Sequence, residues 1–101
     1  MGTRVKLEDG TFGAYEWMTY QDVYGVYDEL ARGIQALRLL QPIEGIDEDG
    51  KEWRLTGIWS QNCAKWHMTS LASMVHRSTI VGFNKVMKDS QVEECLNLTR
   101  L

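Results

Sequence analysis

"WRLTGIWSQNCAKWHMTSLASMVHRSTIVGF", residues 53–83, carries the pattern on which the fold turns. Its first part, Trp53 to Ser60, mixes aromatic, β-branched and small side chains, the composition of a short strand. Gly57 sits at its centre, where a missing side chain often marks close approach of another backbone. Ser60, Gln61 and Asn62 then offer polar groups able to cap a helix, with Asn62 the best placed. Ala64, Met68, Leu71, Ala72 and Val75 mark one helical face, and Trp66 flanks it. "STIVGF" (Ser78 to Phe83) reads as a second strand. "KDSQVEECLNLT" reads as a further helix with Val92, Cys95 and Leu96 on one side. Strand, helix, strand and helix with short connections predict a parallel α/β unit with a right-handed crossover.

Upstream, "VKLEDGTFGAYEW" contains Asp9-Gly10, whose glycine tolerates positive φ and favours a tight turn between two strands. The second arm, Ala14 to Met18, leads into a helix. Thr19 is the expected N-cap, its hydroxyl accepting from the amide of Gln21 or Asp22, and Asp22 completes a capping-box spacing. Met18 and Val23 fit a hydrophobic staple across that cap. Val23, Tyr27, Leu30, Ala31, Ile34 and Leu37 then recur as a helical apolar stripe. Pro42 forbids continuation and opens a linker over residues 41–52, "QPIEGIDEDGKE". The expected fold class is therefore α/β. A turn and strand arm with a helix comes first, and the parallel strand-helix-strand-helix unit follows.

A chain of 101 residues is one domain or part of one. Its 44% apolar and 25% charged content is that of a globular protein. The net charge of −3 and the lack of a basic run in the sequence argue against nucleic acid as a partner. Cys63 and Cys95 make no disulfide framework and suit a reducing compartment. No apolar run approaches the roughly 20 residues of a membrane span. At the N-terminus Val5 and Leu7 alternate with Lys6, Glu8 and Asp9, which is not a signal-peptide pattern. A cytoplasmic location is the expectation.

Chemistry is sparse. "DGTFGAY" lacks the spacing and the Lys-Ser/Thr ending of a phosphate loop and leads toward a strand, so it reads as a turn. Cys63 and His67 stand four apart on a helix, as two metal ligands can, but His76 and Cys95 supply no recognisable second pair. Buried or half-buried cysteine is the commoner state than a Cys–His nucleophile. The acidic run Glu44 to Asp49, with Glu52, has carboxylates without the ligand order of a calcium loop, and reads as a solvated linker. Trp17, Trp53, Trp59 and Trp66 are expected mostly to pack. No catalytic, cofactor-binding or metal-ligating residue is assigned.

"GTR" (Gly2 to Arg4) followed by "GAYEWMTYQDV" (Gly13 to Val23) resembles the start of long-chain acyl-CoA synthetases, members of the adenylate-forming superfamily. "ELARGIQAL" (Glu29 to Leu37) is similar to the helix that follows in that family. "GIWSQNCAKW" (Gly57 to Trp66) resembles its strand ending in serine-x-asparagine and the helix behind it. "STIVGFNKVMKDSQVEECLNLT" (Ser78 to Thr99) aligns with the next strand and helix. Lys65, Gly82, Asn84 and Val86 depart from the family's residues, so no substrate contact is carried over to those positions. The linker 41–52 is also longer than in many members.

The resemblance implies a partial N-terminal AMP-binding domain over residues 1–101. In such ligases ATP and a fatty acid give an acyl-adenylate and pyrophosphate, and CoA then displaces AMP. ATP, Mg2+ and CoA are thus implied for a full-length member. The family's serine-, threonine- and glycine-rich phosphate loop and its catalytic lysine do not occur in this sequence. The chain is therefore expected to be inactive alone and to bind none of these groups itself. Its implied partner is the rest of the ligase fold, with membrane association only through segments outside this chain, peripheral to an organelle. The alternative is a non-enzymatic α/β interaction or assembly module whose apolar surface a protein partner covers. A third reading, an aromatic-lined ligand carrier, rests on the tryptophan and tyrosine content alone.

Overall fold

The computed structural model describes residues 1–43 and 53–99. The acidic run and most of the linker, including Glu44, Asp49 and Glu52, lie outside the described residues.

Two antiparallel strands open the chain, β1 (Gly2–Lys6) and β2 (Phe12–Trp17). Their turn closes as the Asp9-Gly10 pair requires. Gly10 adopts φ 85°, and the Leu7 amide donates to the Thr11 carbonyl at 2.8 Å. Asp9 accepts from the Thr11 hydroxyl at 2.6 Å and from its amide at 2.9 Å, which fixes the far side of the turn.

Helix α1 (Tyr20–Ala36) begins at Thr19 with both halves of the capping box formed. The Asp22 amide donates to the Thr19 hydroxyl at 3.2 Å, and the Thr19 amide donates to the Asp22 carboxylate at 2.8 Å. Two of the helix's orphan donors are thereby satisfied. Its buried face is Val23, Ala31 and Ile34, with Tyr27 and Leu30 partly buried beside them. The expected stripe stops one step early, because Leu37 follows the last helical residue and is 71% exposed.

Strands β3 (Leu55–Trp59) and β4 (Thr79–Phe83) pair in parallel, joined through α2 (Ala64–Val75). Gly57 is in register with Val81 and Ile58 with Gly82. Met68 and Ala72 of α2 are buried, as are Ile58 and Phe83 of the sheet. α2 touches both strands and packs on its other side against α1. Ala31, Ile34 and Ala72 form the seam between the two helices. Small residues at that seam let the two backbones approach closely. Helix α3 (Asp89–Thr99) buries Val92, while Leu96 and Leu98 remain exposed.

Three further expectations are corrected. The cap of α2 is Cys63, with extended backbone (φ −157°) and no side-chain capping bond, so Asn62 lies one residue outside the helix. The tryptophans do not form the core. Trp17 is 74% exposed, Trp53 and Trp59 are exposed, and Trp66 is half-buried. A hairpin and a two-stranded sheet each have a face that no described element covers, and the aromatic side chains lie there. Val75, placed on the apolar face of α2 by its spacing, is the last residue of that helix and is exposed.

α1 and α2 end alike. At each end two amides reach back in a Schellman arrangement. Arg38 donates to Gln35 and Leu39 to Ile34; Arg77 donates to Met74 and Ser78 to Ser73, all at 3.0–3.2 Å. The left-handed residue these turns require is an arginine in both, Arg38 at φ 53° and Arg77 at φ 56°.

Candidate functional site

Parallel α/β sheets bind ligands outside the carboxyl ends of their strands, so the turns after Trp59 and Phe83 are the place to look. Ser60, Gln61 and Asn62 form one turn, and Asn84, Lys85 and Val86 the other. They are stitched together. The Lys85 ammonium donates to Gln61 Oε1 at 3.2 Å, and the Trp59 indole donates to the Asn84 carbonyl at 3.2 Å. The Val86 amide donates to Asn84 Oδ1 at 3.1 Å, holding the second turn in shape. Between them lies a cleft of about 430 Å³ walled by Trp66 and Phe83. Gly82 lies in its floor, and a Cβ there would stand 3.7 Å from the Trp66 ring.

On the other side of the Gln61–Asn62 turn lies a wider cleft of about 780 Å³. It lies against the hairpin residues Arg4, Phe12 and Tyr15 and the start of α2 at Cys63 and His67. Arg4 is held in place. Its guanidinium donates to the Gly13 and Phe12 carbonyls at 2.9 and 2.8 Å and stands over the Phe12 and Tyr15 rings. Cys63 and His67 thus face one cleft, as their spacing suggested. Cys95 is on α3 and His76 at the end of α2, donating through Nε2 to the Ala31 carbonyl at 2.7 Å. The carbonyl can only accept, which fixes that tautomer. Among the described residues no group of three His, Cys, Asp or Glu is gathered to hold a metal ion.

"DGTFGAY" does not fit a nucleotide phosphate. It is a hairpin turn feeding β2, with no helix N-terminus behind it. The carboxyl edge presents the side-chain amides of Gln61 and Asn62 and the Lys85 ammonium, while the single Trp59 indole donor is committed to the Asn84 carbonyl. The sequence reads Ser60, Gln61 and Asn62 as capping residues and gives no binding role to Gln61, Asn84 or Lys85. Once both strands were placed, the rule for strand carboxyl ends could have singled these residues out. No helix among the described residues is long and apolar enough to cross a membrane.

The architecture is an α/β unit with a candidate site at its strand ends. The chain is similar to the Probable CoA ligase CCL6 of Humulus lupulus, with 29% identity over 94 residues. That match covers 93% of this chain and 13% of the relative's length. No protein-family model matches the chain, and no solved structure matches it.

Proposed function

We propose that this chain is a segment of an ATP-dependent long-chain fatty acid–CoA ligase and does not catalyse by itself. The observation that carries the reading is the likeness to a CoA ligase along almost the whole chain, at 13% of that protein's length. The long-chain preference rests on the resemblance of Gly2–Arg4 and Gly13–Val23 to that family. In this reading residues 1–101 belong to the N-terminal AMP-binding domain, and ATP, Mg2+ and CoA act at residues outside the chain. The setting is cytoplasmic, with any organelle-membrane contact made elsewhere in the ligase.

The surface supports a chain that is covered by something further. Its accessible area is 8097 Å², against about 5,800 Å² expected for a self-contained monomer of this mass. The covering partner is the rest of the ligase fold; the same surface favours, as the second reading, an interaction module covered by another protein.

Transcript sequence beyond Leu101 tests the first reading. It is expected to encode, in frame, a serine/threonine/glycine-rich phosphate loop and a later catalytic lysine. A transcript without them would sink it. The isolated chain with ATP, Mg2+ and palmitate is expected to show no pyrophosphate exchange. Exchange above the protein-free blank would overturn its inactivity. The longer product should prefer long-chain over short-chain acids in acyl-CoA formation, and the reverse order would remove the long-chain assignment.

A further inference from the structure

Glycine is the usual residue at the left-handed position of a Schellman turn, because a Cβ is crowded there. Arg38 and Arg77 both occupy that position, one at the end of each packed helix. Since α1 lies against α2, with His76 tied to the Ala31 carbonyl, the two ends come together at one cleft of about 450 Å³. Arg54, just before β3, lines it as well, so three arginines line one cleft on a chain of net charge −3. Among the described residues that line it none is acidic. Ile34, Leu40 and Val75 give it an apolar wall.

A cation near a helix C-terminus is favoured by the helix dipole, which accounts for each arginine singly. The carbonyls of Ile34, Gln35, Ser73 and Met74, however, already accept the Schellman amides. Among the described residues neither the Arg38 nor the Arg77 guanidinium makes a hydrogen bond or ion pair. Two side chains thus occupy sterically disfavoured backbone positions and present uncommitted donors to the same space.

We propose that this cleft binds a phosphate-bearing small molecule. Arg38 and Arg77 grip the phosphate, for which the guanidinium fork is the matching donor. Ile34, Leu40 and Val75 flank the organic part, and the volume falls within the range of small-molecule sites. The cleft is separate from the strand carboxyl edge, and the proposal does not depend on the ligase reading.

Titrating phenyl phosphate into the isotope-labelled chain at constant ionic strength, with side-chain arginine NMR signals as the readout, tests it. The Arg38 and Arg77 signals are expected to shift and saturate, with half-saturation at about 1 mM, and inorganic phosphate to bind more weakly. R38Q and R77Q should each weaken binding about five- to ten-fold, as loss of a charge-assisted bond does. R32Q, on the exposed pair with Asp28, should leave it unchanged. R38G and R77G separate binding from folding. Glycine relieves the left-handed backbone, so the thermal midpoint should rise by roughly a few degrees while binding is lost. Shifts that do not saturate by about 50 mM, equal weakening in R32Q, or binding retained in both glycine variants would overturn the proposal. So would a response only to phosphatidylcholine vesicles carrying phosphatidic acid, which would assign the patch to a lipid surface.

Discussion

Thr19 and Asp22 hold the start of α1 through three hydrogen bonds confined to four residues of chain. The Thr19 hydroxyl, donating at 2.7 Å, and then the Thr19 amide hold the Asp22 carboxyl below its ordinary 3.8. Thr19→Ala is expected to cost about 1 kcal/mol in urea unfolding. A depressed carboxylate contributes stability that is full above the unfolded value and lost as pH falls through the folded one. The carboxylate's share of that cost should therefore be full at pH 5 and be lost as pH falls from 3.8 through the lowered folded value, so the difference between Thr19→Ala and the parent should narrow in acid while the bond from the Asp22 amide to the Thr19 hydroxyl remains. Equal differences at pH 7 and pH 3 would remove the role given to the carboxylate. This cap was legible because its partners are adjacent in sequence. Arg38 and Arg77 were not, since arginine carries no signal for left-handed backbone and the two meet only after α1 packs on α2.

Among elements, the tightest constraint lies where α1 crosses α2. Ala72 is fully buried and Ala31 nearly so. Ala72→Leu should force the helices apart and cost about 1–3 kcal/mol in thermal or urea unfolding. A neutral result would mean the seam is looser than its burial indicates. The starts of β3 and β4 are joined by side chains as well as by the ladder. Buried Ser78 donates to the Arg54 carbonyl at 3.2 Å and so accepts from the Thr56 hydroxyl at 2.6 Å. Ser78→Ala should cost about 1–3 kcal/mol, because it strands the Thr56 donor in a partly buried position. The strand-helix-strand order could be read from residues 53–83 because composition and turn residues change at each boundary. The exposure of Trp17 and Trp59 could not, since it depends on how many strands and layers surround them. That count is set by the whole assembly of elements, and the spacing of aromatics along the chain does not contain it.

Viewed whole, the molecule measures 52 × 34 × 21 Å with a radius of gyration of 16.3 Å, where about 13 Å is expected for a self-contained domain of this length. Exposed apolar residues occur on the hairpin, on α1 at Tyr20 and Tyr24, and on α3 at Leu96 and Leu98. The isolated chain should bind a surface-sensitive dye such as ANS and self-associate as its concentration rises. A dye-silent monomer at high concentration would remove the case for a covering partner.

The shortest axis, 21 Å, leaves room for little more than two layers of backbone. Apolar hydration on unfolding is what gives a protein its heat-capacity increment, about 1.2–1.5 kcal/mol/K for an ordinary domain of this length. A chain that has already left much of its apolar surface wet has less of that increment to release. Its stability should therefore change with temperature along a shallow curve, and its urea transition should be broad.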